Sequence, residues 1–497
     1  MKPLLKTESL EILTLEARLV DPLSIELFPG EVLTIIGETG SGKSLFAQGV
    51  VGNLPPGLHA CGHIQFADGF SEEGQSRGRQ ALWGREIAVL PQEPWLSLDP
   101  TMRALSQVSE TYEYVVGVGK DEARRSAKGD LSRLGLEHAQ EKYPFQLSGG
   151  MAQRLAFAAT NAGGAKVMVA DEPTKGLDSA RIGEVIALLQ AGLQNGGALL
   201  IITHDIEVAR RLGGTVMIML KGKVIETGSA EQVLNNPQHT YTQQLLNAEP
   251  ASWKVTKRER IQGGPVVRVR DLGVDRGGRA LFRQLSFDVR PGEIVGVTGP
   301  SGCGKSTLGD VLLGLMTSTE GSVSKRADVP RVAYQKLFQD PVAAFPPTVT
   351  LARNLADLVK LHKLDANRIG PLLQRLRLEP ELLNRLPGNV SGGELQRFSL
   401  LRVLLINPVF IFADEPSSRL DLITQKEVLE LLVEAAKESD TAVLLVSHDE
   451  ALIEAVSDQR IRLGEHGHGA DLLTSAAPTN SVPAREITAK SIREEII

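Results

Sequence analysis

At 497 residues the chain is long enough for about three average domains or two large ones. A net charge of −6, with 42% hydrophobic and 23% charged residues, describes an ordinary globular protein. With 4% aromatic residues and a mildly acidic balance, no nucleic-acid partner is expected, and two cysteines, Cys61 and Cys303, exclude a disulfide framework or a cysteine-rich metal centre.

The first residues carry charges at Lys2, Lys6, Glu8, Glu11 and Glu16, so the uninterrupted apolar region of a signal peptide is missing. The longest apolar runs, such as Ala198–Ile202 and Val216–Leu220, fall far short of the roughly 20 residues of a bilayer helix. The expectation is a cytosolic protein that reaches a membrane only through partners.

In chain order, the apolar run Val32–Ile36 reads as a buried strand entering a glycine-rich loop, Gly37-Glu-Thr-Gly40-Ser41-Gly42-Lys43-Ser44. In such a loop the glycines let backbone N–H groups converge on phosphate oxygens that side chains would block. Lys43 then neutralises β- and γ-phosphate charge, and the Ser44 hydroxyl is a Mg²⁺ ligand. The run Val167–Ala170 is a second buried strand, ending in Asp171-Glu172. The aspartate suits Mg²⁺, and the glutamate suits polarising an attacking water. A third buried strand, Ala198–Ile202, ends just before His204-Asp205, which places His204 as a sensor of the γ-phosphate. Alone, an Asp-Glu pair would read as a solvated strand end and a lone histidine as a satisfied packing residue. Behind a phosphate loop both readings reverse.

Residues 248–264 are charged, bounded by Pro and Gly, and lack apolar periodicity, which reads as a linker. Beyond it the same series returns. Ile294–Val297 enters Gly299-Pro-Ser-Gly302-Cys-Gly304-Lys305-Ser306-Thr307, Val409–Ala413 ends in Asp414-Glu415, and Ala442–Val446 ends before His448-Asp449. These ordered repeats, at similar offsets, make the chain a tandem duplication. Strands alternating with helical patterns indicate α/β architecture with largely parallel sheets, and ligands in such sheets gather at the carboxyl ends of strands, where every motif lies. From about residue 464 the chain is rich in Ser, Ala, Thr and Pro and reads as a flexible tail. Its Glu465-His-Gly-His-Gly469 invites a metal-sensor reading, but two histidines and one acid in a tail are more often solvated.

One more repeated element sets this duplication apart from other phosphate-loop ATPases: Ser148-Gly149-Gly150-Met-Ala-Gln153 and Ser391-Gly392-Gly393-Glu-Leu-Gln396. Together with the loops and acid pairs, these make both halves resemble nucleotide-binding domains of the ATP-binding cassette family. The resemblance covers roughly residues 5–247 and 265–463. It implies two tandem phosphate-loop NTPase domains, each with flanking helices and an inserted helical subdomain. It also implies that Gln92 and Gln339 sense Mg²⁺ and contact the transporter, and that Asp178 and Asp421 belong to the D-loops and the ATP-binding set. In that family two domains close head to tail on ATP and Mg²⁺. Site one would join Lys43, Ser44, Gln92, Asp171, Glu172 and His204 with Ser391, Gly392 and Gly393. Site two would join Lys305, Ser306, Gln339, Asp414, Glu415 and His448 with Ser148, Gly149 and Gly150. The signature amides suit the role, because a helix N-terminus attracts a γ-phosphate. No catalytic residue is missing, so two competent sites are expected.

Two departures stand out. Leu45 replaces the hydroxyl that Thr307 supplies in the second half, and the usual adenine-stacking aromatic is absent near Thr14 and Arg276. Of the two, only the arginine plane is able to stack.

Gln92-Glu-Pro-Trp-Leu-Ser-Leu-Asp-Pro100 and Asn236-Pro-Gln-His-Thr-Tyr-Thr-Gln-Gln-Leu-Leu246 resemble segments of dipeptide, oligopeptide and nickel importer ATPases, here with the two subunits fused. The resemblance implies separate integral-membrane permease subunits, two in number, an extracellular substrate-binding protein acting indirectly, and a peripheral position on the cytoplasmic face of the inner membrane. Two alternatives fit less well. A tandem sugar-importer ATPase typically has a degenerate second site, whereas Lys305, Ser391 and Glu415 are intact here. A soluble cassette protein acting on ribosomes or DNA needs a long charged interdomain helix pair, zinc cysteines or coiled-coil insertions.

Overall fold

The computed structural model describes residues 2–73, 78–91, 94–174, 179–193, 196–253, 263–300, 302–418, 420–464 and 471–474. Each half is built around a six-stranded sheet. In the first, the strand order is Lys223–Ser229, Thr215–Leu220, Val32–Ile36, Ala198–Thr203, Val167–Asp171, Ile87–Leu90, parallel except for the first pair. In the second it is Tyr334–Leu337, Phe410–Asp414, Ala442–Val446, Ile294–Thr298, Gln459–Arg462, Asp471–Thr474, parallel except for the last pair. The central strands are largely apolar because both faces of the sheet are covered; all five residues of Val32–Ile36, Thr34 included, and of Ala442–Val446 are buried.

An antiparallel sheet packs over the phosphate-loop helix of each half. The first has four strands (Arg18–Leu27, Leu5–Leu13, His59–Phe66, Ser71–Glu73) and the second three (Arg279–Val289, Val267–Arg276, Glu320–Lys325). Their half-buried alternation follows from one face meeting the core and the other meeting solvent. The helical insertions lie where the duplication implied, after the edge strands Ile87–Leu90 and Tyr334–Leu337. The first includes Ala104–Glu110, Lys120–Arg133 and Gly149–Asn161; the second includes Leu351–His362, Ile369–Arg375 and Gly392–Leu405. Leu105, Val108, Leu131 and Leu155 form the apolar centre of the first insertion.

Two segments differ from the sequence reading. Ala248 and Pro250, placed in the linker, are buried, and Trp253 packs against the core of the second half while its indole N–H donates to Ala248 O at 3.1 Å. The linker therefore begins as a docked segment; residues 254–262 lie outside the described residues. Residues 471–474, placed in the flexible tail, pair antiparallel with Gln459–Arg462 and close the second sheet as Lys223–Ser229 closes the first. The duplication thus extends to the last strand. The tail histidines of 465–469 lie outside the described residues.

Candidate functional site

Both phosphate loops sit between a buried strand and a helix that begins at the lysine, Lys43–Val51 and Lys305–Leu313. Gly42 and Gly304 precede those helices with φ of 99° and 104°, a left-handed turn that favours glycine. At Gly37 a Cβ would lie 2.1 Å from Met219 O, so only glycine lets the loop pass the neighbouring strand. Lys43 Nζ donates to Gly37 O (2.7 Å), Glu38 O (2.8 Å) and Ser41 Oγ (3.3 Å), and so lies curled into the loop. Lys305 Nζ donates to Gly299 O (2.8 Å) and Pro300 O (3.1 Å), and lies 3.5 Å from His448 Nδ1. Burial pushes the Lys43 ammonium below its ordinary value, against the opposing pull of Glu172 and Asp171.

The strand-end acids meet these loops. The Ser44 hydroxyl donates to Asp171 Oδ1 at 3.1 Å, and the Ser306 hydroxyl to Asp414 Oδ1 at 3.0 Å. Paired serine and carboxylate oxygens are hard donors that fit Mg²⁺. Among the described residues no cluster of three or more His, Cys, Asp or Glu suits a metal. The fit is therefore to an ion that takes further oxygens from nucleotide phosphates and water.

The following glutamates adopt φ of 50° and 47°, left-handed values that are costly for a side-chain-bearing residue and that recur here at matched positions. His204 Nδ1 lies 2.8 Å from Glu172 Oε2, and His448 Nε2 lies 2.6 Å from Glu415 Oε1. Burial alone would raise the Glu172 carboxyl; the hydrogen bond and charge of His204, with Lys43, outweigh it and hold the group below its ordinary value. In the second half, the Gln339 amide donates to Glu415 Oε2 at 2.8 Å, joining another expected residue to the site. Gln92 and Asp178 lie outside the described residues.

Ser148 and Ser391 cap the helices Gly149–Asn161 and Gly392–Leu405, accepting from Met151 N and Glu394 N at 3.3 Å. Gly150 and Gly393 lie in the first turns of those helices, and a Cβ at Gly393 would meet Thr424 Cγ2 at 2.6 Å. Thr424 follows Asp421, which caps the helix Leu422–Glu438. The Asp421 charge acts on Lys43 and Glu38 of the first phosphate loop, and Leu422 and Ile423 pack against a cluster containing Ile36 and Tyr241. A chain of contacts therefore runs from the second signature to the first loop. Gly40, Gly149, Gly302 and Gly392 lie in the loops and helix starts where the sequence placed them, and Thr307 is buried behind Ser306.

Sequence reasoning missed several supports. The Glu38 amide donates to the Tyr241 hydroxyl at 3.1 Å, so the importer-like segment 236–246 holds the first loop directly. Buried Arg79 donates to Gly49 O and Val50 O, and the Trp83 indole to Val51 O at 3.0 Å, satisfying the negative end of the phosphate-loop helix. Arg79 is paired with Glu72 at 2.9 Å. No motif marks these residues; only the fold brings them to the helix end. At the positions where an adenine-stacking ring is usual, the Thr14 hydroxyl closes its own turn on Ala17, and Arg276 lies exposed at a hairpin end opposite Arg279.

Duplicated parallel sheets carrying two phosphate loops, two strand-end acid pairs and two strand-end histidines define a tandem phosphate-loop nucleoside triphosphatase. The sequence profile described as "ABC transporter" matches residues 20–175 and 282–418, and the chain belongs to that family. It is 33% identical to the peptidoglycan transport ATP-binding protein YejF of Agrobacterium fabrum over 480 residues, 90% of this chain and 88% of that protein. It is likewise 33% identical to the glutathione import ATP-binding protein GsiA of Escherichia coli K12 over 501 residues, 88% of this chain and 80% of that protein. The archaeal ribosome recycling factor aABCE1, solved with the ribosomal stalk protein aP1, has a TM-score of 0.63 at 22% identity, covering 92% of this chain and 87% of that one. At that identity the likeness concerns the tandem fold alone. The family membership makes the chain an ATP-binding ATPase, as the sequence implied. Among the described residues no helix is long and apolar enough to cross a membrane.

Proposed function

We propose that the chain is the ATP-hydrolysing subunit of an importer for small peptide-like cargo, working through separate permease subunits. The observation that carries this reading is similarity along about nine-tenths of the chain to peptidoglycan transport and glutathione import ATP-binding proteins, with both predicted catalytic sets intact. Residues up to 247 form one cassette and those from 265 to 474 the other. Two permeases would receive the motion of the helical insertions, and an extracellular binding protein would deliver cargo on the opposite face. The chain itself would sit on the cytoplasmic face.

Lys43 and Lys305 hold the β- and γ-phosphates, with the loop amides around Gly37–Gly42 and Gly299–Gly304. Ser148–Gly150 and Ser391–Gly393 present helix N-termini to the γ-phosphate of the opposite half. Glu172 and Glu415 orient and polarise the attacking water, and His204 and His448 fix those carboxylates. Ser44 with Asp171, and Ser306 with Asp414 and Gln339, would hold Mg²⁺, which when bound neutralises phosphate charge. The close approach of Gly393 to Thr424 and the charge of Asp421 acting on Lys43 support the composite first site.

Co-reconstitution with candidate permease subunits and their binding protein tests the reading. ATP hydrolysis in proteoliposomes should rise when peptide-loaded binding protein is supplied to the opposite face. Unstimulated hydrolysis, together with copurification on ribosomes, would overturn it in favour of a soluble factor.

A further inference from the structure

We propose that Glu249 is a positioning residue: as part of a short strut between the halves, it makes the helix after His204 and the helix after His448 move together. The inference rests on the two-site reading above. Each of these helices begins at the aspartate that follows its histidine. Asp205 caps Ile206–Leu212, accepting from Glu207 N at 3.0 Å, and Asp449 caps Glu450–Val456, accepting from Leu452 N at 3.0 Å. A shift of either helix therefore carries its histidine and, through it, the glutamate that the histidine contacts.

The strut starts on the first helix. The Arg210 guanidinium donates to both oxygens of Glu249, Nη1 to Oε1 at 3.1 Å and Nη2 to Oε2 at 3.3 Å. Such a two-pronged pair fixes orientation as well as distance. Arg210 is steadied on its own helix by Glu207, at 3.2 Å. The next residues, Pro250–Ser252, form a turn that lies against Glu450–Val456, and the Ser252 hydroxyl closes it by donating to Glu249 O at 2.7 Å. Trp253 then packs against the cluster that holds Leu452 and Ile453 of that helix.

Both ends reach the phosphate loops. Ile206 and Ala209 share a cluster with Ile36, the last residue of the strand before the first loop. Ile453 lies so close to the strand Ile294–Thr298 that a Cβ at Gly296 would meet its Cγ2 at 2.4 Å. An ion-pair fork and packed side chains thus form a contiguous path from one loop to the other. The charges of Asp205 and Glu249 both act on Asp449, and the Arg210 guanidinium offsets this accumulation of acid. Coupling through the strut is reciprocal, so nucleotide at either site should be felt at the helix of the other half.

The test is hydrogen exchange, read by mass spectrometry, in the full chain carrying K305A, with and without a non-hydrolysable ATP analogue. K305A confines the analogue to site one. Filling that site should slow exchange in residues 450–456 about two- to fivefold, the range a partly exposed ion pair can transmit. E249Q, which removes the charge and keeps the shape, should abolish this response, and so should E249R. The reversed pair R210E/E249R should restore it, which a merely structural role for either side chain would not do. A response that survives E249Q, or E249R should E249Q fail to fold, overturns the inference. So does a response that is missing in K305A alone or still lost in the reversed pair. Failure of the K305A chain to bind the analogue at all would overturn the two-site reading instead.

Discussion

Glu172 and Glu415 hold a left-handed backbone at the ends of buried strands, each carboxylate within 2.8 Å of a histidine nitrogen. A backbone that is costly for glutamate, kept twice, aims both carboxylates at one place beside the loop. Because Glu172 is held below its ordinary 4.5, its ionised, proton-accepting form persists at and below that pH. E172Q and E415Q together should slow hydrolysis about 10²- to 10⁴-fold in a phosphate-release assay. Tyr241 belongs to the same scale. Y241F leaves the half-buried Glu38 amide without its acceptor, which should cost about 1 kcal/mol in denaturant unfolding and weaken nucleotide binding at site one selectively. R276A should weaken ATP binding at site two severalfold in fluorescence titration; unchanged affinity would remove the arginine as the adenine platform. The proposed catalytic residues were legible because chance rarely repeats one motif, in order, at matched strand ends. Tyr241 and Arg79 were not, since each supports a loop or helix distant in sequence.

At the scale of elements, the buried strands were legible from their continuous apolar runs, bounded by glycine and acid. The strand 471–474 was not, because four residues between polar stretches carry no periodicity. Nor was the docking of Trp253, a lone aromatic in a charged segment. Both have consequences. W253A should destabilise the second half by about 2–4 kcal/mol, read by its calorimetric transition, through lost packing against the core. Truncation after residue 464 should uncover the edge of Gln459–Arg462 and raise aggregation in light scattering, with the phosphate loops left in place.

For the whole molecule, duplication explains what a single cassette would not. The halves meet where Asp421 approaches the first phosphate loop, and the Lys426 ammonium donates to Asn247 O at 3.0 Å. In the proposed head-to-tail arrangement each half completes the other's nucleotide site, and one chain keeps the two at high effective concentration. No carboxylate cluster among the described residues organises a fold around a metal, so EDTA should abolish hydrolysis while leaving the thermal midpoint unchanged. The number of ATP molecules retained by the full chain carrying E172Q and E415Q, counted after rapid gel filtration in Mg²⁺, tests the two-site account most directly. Two molecules per chain, recovered as ATP, are predicted; one, none, or recovery as ADP would contradict it.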